Sequence, residues 1–159
     1  MNQVLNDLID KASFGNLEPH GPVSVLPIHT LTQSLLEYTS LEPVLATEEM
    51  EIIETGTDGT VPELDLVNRS GLNVLIWDGE ELEGAKQNRA LNTTVLAKAM
   101  TKIKIPVSCT ESGRWSFNSR KFRSSRTVMP RGMRQSRKMS VDASLKSDRS
   151  FRSDQGKVW

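Results

Sequence analysis

Apolar residues recur along this chain first with a helical period and then with a period of two. Val4, Leu5, Leu8, Ile9 and Ala12 fall three and four apart, which predicts an amphipathic helix over residues 2–12. Residues 14–22, with Gly15, Asn16, Pro19 and Gly21, read as a loop. Val23 to His29 reads as a strand whose Pro27, lacking an N–H, suits a sheet edge, and 33–38 as a second strand. Thr39 or Ser40 can cap a short helix over 41–49, with Glu42 and Pro43 in its first turn.

From Met50 the alternation takes over. Met50 to Thr55, Pro62 to Asn68 and Asn73 to Trp77 read as strands, separated by turns at 56–59 and 68–71. Thr93 to Ala97 and Thr101 to Cys109 follow. In the second of these, Ile103, Ile105 and Val107 share one face and Lys102 and Lys104 the other. After Trp115 the pattern fades into Ser- and Arg-rich sequence. Pro130 can open a helix to about Lys146, with Met133, Arg137, Ser140 and Ser144 on one side. The predicted class is α+β and mostly β. It is an antiparallel sandwich or barrel-like sheet with an N-terminal helix, a short helix near 41–49 and a basic C-terminal helical extension. Residues 1–117 form the β-rich domain, and 118–159 the basic extension, partly helical or mobile.

Composition narrows the function classes. Hydrophobic residues make up 36% of the chain and aromatics 5%, low enough that part of it packs poorly. No stretch approaches the roughly 20 apolar residues that span a bilayer. The N-terminus shows no basic segment ahead of an apolar run, and the single Cys109 allows no internal disulfide, so a cytoplasmic setting is expected. The net charge of zero hides an asymmetry. Two basic residues stand against sixteen acidic ones up to Ala85, and eighteen basic against four acidic from Lys86 onward. The basic half can serve an external polyanion or an acidic partner, or it can neutralise the acidic half of its own molecule.

The chemistry concentrates in two clusters. The run GEELEGAKQNR over 79–89, followed by Asn92, mixes carboxylates, cations and amides beside predicted strands, and SCTESGRW follows over 108–115. Glu80 and Glu81, joined by Glu111, are the candidate catalytic carboxylates. Carboxylates held close can separate an acid from a base, or hold a hard cation. The bland alternative is a solvated turn. Lys86, Arg89 and Arg114 are candidate phosphate or carboxylate ligands, Arg through its planar fork. Gln87, Asn88 and Asn92 both donate and accept, which suits ribose hydroxyls, and Trp115 can stack on a base or sugar. Alternatively these groups tie off local backbone, and Trp115 closes the core edge. Cys109, ending an apolar strand, reads as a buried small residue. His20 and His29 with one cysteine are too few for a zinc site of those types; metal and cofactor stay unassigned. Phosphate-loop and dinucleotide fingerprints are absent, and the basic stretch lacks the aromatic interleaving of nucleic-acid binders.

The strings WDGEELEGAKQNRALNTTVL, IPVSCTESGRW and FRSDQGKVW resemble the ARG and Rhodanese-Phosphatase-superfamily-associated Protein domain, the ARPP family, from about residue 20 to Trp159. That resemblance implies a role near the ADP-ribosylglycohydrolases, in the metabolism of NAD-derived or ADP-ribosylated compounds. It places Glu80, Glu81, Lys86, Gln87, Asn88, Arg89, Asn92, Glu111, Arg114 and Trp115 on the family's polar motif positions. It also implies a shortened member, because the family generally runs longer. Residues 97–100 depart from the family's Pro-Ala-Gly type of turn. The expectation is a domain that binds an ADP-ribose-like or other phosphorylated nucleotide ligand. The alternatives are a non-catalytic interaction module with an acidic protein partner, and weak polyanion binding through the basic segment.

Overall fold

A computed structural model describes residues 3–30, 36–56, 62–111, 113, 119–154 and 156. The chain divides into two compact units, Met1–Glu37 and Tyr38–Trp159.

The first unit holds helix α1 (Gln3–Asp10) and two small antiparallel ladders. Strand β1 (Ala12–Phe14) pairs with β4 (Ile28–Thr30), and β2 (Glu18–His20) with β3 (Val23–Val25). The predicted strand over 23–29 is therefore two strands. They serve different ladders and are parted at Leu26–Pro27, where proline removes a ladder donor. Among the described residues of this unit none is buried, and Leu5, Leu8 and Ile9 of α1 are exposed.

The second unit carries the core. The predicted strand over 33–38 falls largely outside the described residues; β5 spans Tyr38–Ser40 and runs straight into helix α2 (Leu41–Ala46). Strands β6 (Met50–Glu54), β7 (Glu63–Asn68), β8 (Asn73–Ile76), β9 (Glu80–Gly84), β10 (Arg89–Leu91), β11 (Val95–Ala97), β12 (Thr101–Cys109) and β13 (Phe122–Val128) follow, then helix α3 (Arg131–Ser147). Six of them form one antiparallel sheet in the order β13-β9-β10-β12-β7-β6, and β11-β8-β5 form a smaller sheet in which β5 and β8 run parallel. The larger sheet curls into a half-barrel. Its two edges meet where Ile53 of β6 bridges to Lys121, just ahead of β13, and Lys121 Nζ lies 2.5 Å from Glu51 Oε1 across that seam.

Alternation builds the interior. Ile52, Leu64, Leu66, Leu82, Leu91, Ile105, Val107 and Phe122 turn into the barrel and form one apolar cluster with Leu41, Val44, Val74, Ile76 and Ala97 of the smaller sheet and α2. The turn at 68–71 is fixed by buried Asn68. Its Nδ2 donates to the carbonyls of Leu72 and Lys98, both at 2.9 Å, and its Oδ1 accepts from the Ser70 hydroxyl at 2.7 Å. Several strands depart from expectation: β2 falls in the segment read as a loop, and β9, β10 and β13 fall in runs not read as strands. Glu80–Gly84, read as part of a polar cluster beside predicted strands, is itself strand β9, and the Ser/Arg-rich 122–128 is strand β13. These last two are poor in the β-branched and aromatic residues that mark strands, and pairing within a sheet overrides that propensity.

The charge asymmetry resolves within the unit. Of the eight ion pairs among the described residues, seven join an acid before residue 86 to a base after it; Arg69–Glu51 is the exception. They include Arg123–Glu83, Arg126–Glu42 and Lys102–Asp65.

Candidate functional site

Antiparallel pairing brings six strand ends to one end of the half-barrel. There β6, β9 and β12 finish and β7, β10 and β13 begin. The register sets Leu82, Arg89 and Cys109 in one inward-facing row, and Glu54 opposite Leu64.

The two polar motifs meet here because β10 and β12 are neighbours. Arg89 is fully buried. Its Nη1 donates to Gln87 Oε1 at 2.9 Å and contacts Cys109 Sγ, and its Nη2 lies 3.7 Å from Glu54 Oε1. The Cys109 thiol donates to the same Gln87 oxygen at 2.9 Å. Gln87 Nε2 reaches the Glu111 carbonyl at 3.5 Å. The Glu111 carboxylate is held by Asn88, whose Nδ2 donates to Oε1 at 2.9 Å and whose backbone N–H donates to Oε2 at 3.3 Å. Asn88 Oδ1 in turn accepts the Gly84 N–H at 3.2 Å. Glu54, Gln87, Asn88, Arg89, Cys109 and Glu111 are thus one connected network, with half-buried Lys86 in the turn above it. Burial pushes the Cys109 thiol above its ordinary pKa, and the Arg89 guanidinium offsets this only in part.

Gly84 permits the tight approach at this turn. Its φ of 132° lies outside what L side chains readily adopt, and a Cβ there would stand 2.6 Å from Ser119 Oγ and 2.7 Å from the Lys121 carbonyl oxygen. Ala85, also at positive φ, donates its N–H to Ser119 Oγ at 2.9 Å. The turn is therefore clamped to the start of β13.

Other candidates lie elsewhere. Glu80 is at the opposite end of β9, four residues and about 13 Å from Gly84. Its carboxylate accepts the Trp77 N–H at 3.1 Å, and burial raises its pKa. Glu81 faces outward, paired in register with Ala90, and accepts from the Thr127 hydroxyl at 3.2 Å. Asn92 is also on the outer side, accepting from Ser108 Oγ at 2.6 Å and donating to the Phe151 carbonyl at 2.9 Å. Arg114 and Trp115 lie outside the described residues. The candidates therefore separate into an inner group of Gln87, Asn88, Arg89 and Glu111 at the barrel end, and Glu80, Glu81 and Asn92 away from it.

The outer face belongs to α3. Met129 packs on Ala90, and fully buried Arg137 sets Nη2 2.6 Å from Asp78 Oδ1. Burial lowers the Arg137 pKa, and Asp78 opposes that shift. Gly79, at φ 83°, makes room for this contact, because a Cβ there would stand 2.4 Å from Arg134 Cδ.

Sequence reasoning missed Glu54. Its signal was present: Glu54 continues the inward-facing Met50, Ile52 alternation of β6, where an acid is out of place. No cluster of three Asp, Glu, His or Cys side chains suited to a metal ion occurs among the described residues. No helix among them is long and apolar enough to cross a membrane.

No curated protein and no solved structure gave a match to the chain. The sequence profile of the ARG and Rhodanese-Phosphatase-superfamily-associated Protein domain, ARPP-1, matches residues 11–159. With both polar motifs and nearly the whole length inside that match, the chain belongs to the ARPP-1 family.

Proposed function

We propose that this chain binds a phosphorylated, hydroxyl-bearing small molecule of the ADP-ribose type at the end of the half-barrel. The observation that carries the reading is the convergence of Gln87, Asn88, Arg89, Cys109 and Glu111 with Glu54 into one inward-facing network. Its carboxylates accept from sugar hydroxyls, its amides do both, and Lys86 and Arg114 are the cations for phosphate. The association of this domain family with ARG proteins, read as ADP-ribosylglycohydrolases, supports the same class of ligand. Should the domain also turn its ligand over, Glu111 is the proton-transfer group best placed within the network.

Thermal denaturation with ADP-ribose, NAD and inorganic phosphate tests the reading. A ligand bound by the native state alone adds about 2.7 kcal/mol of stability at a hundred times its dissociation constant. A rise in melting temperature with ADP-ribose, abolished by Glu111→Gln, is expected. No rise with any nucleotide refutes the proposal.

A second reading has its own observation. Arg131, Lys138 and Lys146 of α3 are exposed and enter no ion pair among the described residues. Beside the segment after α3 lies a groove of about 290 Å³, bordered by Lys104, Arg149, Phe151 and Arg152. This surface suits an acidic protein partner. Binding through it weakens steeply with salt, which separates it from a ligand held inside the barrel.

A further inference from the structure

Glu54 is the last inward-facing residue of β6, and its inward-facing neighbours along and across the adjoining strands, Ile52, Leu64 and Ile105, are apolar. Its register partner is Leu64, which in turn pairs with Ile105. Both of its carboxylate oxygens are buried and accept no hydrogen bond from any described residue. The cation beside it, Arg89 Nη2, stands at 3.7 Å, beyond hydrogen-bonding range. A carboxylate so placed loses its hydration without full compensation. Gln87 does not donate to it either: its oxygen accepts from Arg89 and Cys109, and its amide nitrogen reaches the Glu111 backbone carbonyl.

Resting on the ligand reading above, we propose that Glu54 is the deep acceptor of this site and sets the direction in which the ligand lies. It receives the ligand's O–H groups, so the sugar enters first and the phosphate stays at the rim near Lys86. Charge supports that orientation. Arg89 is the one cation of the inner network, and its Nη1 is already given to Gln87 and Cys109. Glu54 lies beside it, 3.7 Å from Nη2. A phosphate at that depth would meet the Glu54 carboxylate next to the single guanidinium, whereas a hydroxyl donates to that carboxylate. Arg89 then acts as the group that positions Glu54, and the phosphate contact moves outward to the turn.

Calorimetric titration of the full chain with ribose 5-phosphate, 2-deoxyribose 5-phosphate and ribose tests the orientation. The unaltered protein is expected to bind the 2-deoxy sugar about 10- to 100-fold more weakly than ribose 5-phosphate, the size of a lost hydrogen bond to a charged group. Glu54→Gln is expected to weaken ribose 5-phosphate by a similar factor and to erase the discrimination. Lys86→Ala is expected to bring ribose 5-phosphate down to the level of ribose. If ribose 5-phosphate binds but the 2-deoxy sugar binds equally well, or Glu54→Gln keeps the discrimination, the orientation is overturned and the binding site stands. If none of the sugars binds and ADP-ribose also leaves the melting temperature unmoved, the ligand reading falls and takes this assignment with it. Should Glu54→Gln fail to fold, the two sugars on the unaltered protein decide alone.

Discussion

Arg89 and Glu54 meet across the inside of the half-barrel, Nη2 3.7 Å from Oε1, although strands β12 and β7 stand between their own strands in the sheet. Only a curled sheet makes them neighbours. The pair is a probe of what the barrel end is for, because a loosely paired buried ion pair is a poor way to stabilise a core.

Arg89→Met takes from Glu54 the one cation it pairs with among the described residues and is expected to cost about 3 kcal/mol in urea denaturation. Adding Glu54→Leu is expected to recover most of that loss, to within about 1 kcal/mol of the parent, while ligand-induced stabilisation stays absent. A double variant that remains as unstable as the single one would show that the pair is needed for folding.

Arg137 holds α3 to the sheet through Asp78. Replacing Arg137 by Leu removes the partner of a half-buried carboxylate and is expected to cost about 2–3 kcal/mol. Gly79→Ala is expected to loosen the same contact by another route, through strain at φ 83° and collision with Arg134. Hydrogen exchange checks both: amides of 131–147 should lose protection before those of β7 and β12. Unchanged protection in α3 would mean that Met129 and Val141 suffice to dock it.

The seam of the barrel gives an acid-sensitive contact. The Lys121 ammonium, then the Arg69 guanidinium, hold Glu51 down to a pKa of about 2 against an ordinary 4.5. A depressed carboxylate contributes stability that is complete above its unfolded value and is lost as pH falls through its folded one. The loss therefore runs from about pH 4.5 to about pH 2. Its size is on the order of 1 kcal/mol, since both partners are half exposed and solvent screens them. Glu51→Gln should lower the melting temperature at pH 7 and flatten its decline over that window. An unaltered acid limb would remove Glu51 from the account.

Cys109 is buried and its thiol pKa is raised, so it should react with an aromatic disulfide at pH 8 far more slowly than a free thiol. Full reactivity is expected only on unfolding, or in Arg89→Met if the network opens. Rapid modification of the native chain would show that the barrel end is open to reagents. Saturating ligand should slow whatever rate is seen.

Much of the architecture was legible because it depends on short-range periodicity. Strand β12 over Thr101–Cys109 and helix α3 after Pro130 follow from alternation, and from a proline that ends one element and starts another. The mostly β class and the family follow from the same residues. Strands β9 and β13 were not legible. Their glutamates, serines and arginines carry little strand propensity and become strands because neighbours offer ladder partners. The site divides in the same way. That GEELEGAKQNR and SCTESGRW are chemical sequence is visible in their composition, and β10–β12 pairing joins them. Whether a side chain then faces inward, outward or along the barrel is a matter of single-residue parity and sheet curl. Parity sends Arg89 inside and Glu81 outside, and the strand's length carries Glu80 to the far end. Curl brings Glu54 to Arg89 from three strands away. Sequence determined which groups are present and which strands carry them; the closing of the sheet decided which of them can touch one ligand, because contact depends on distance through the interior and not along the chain.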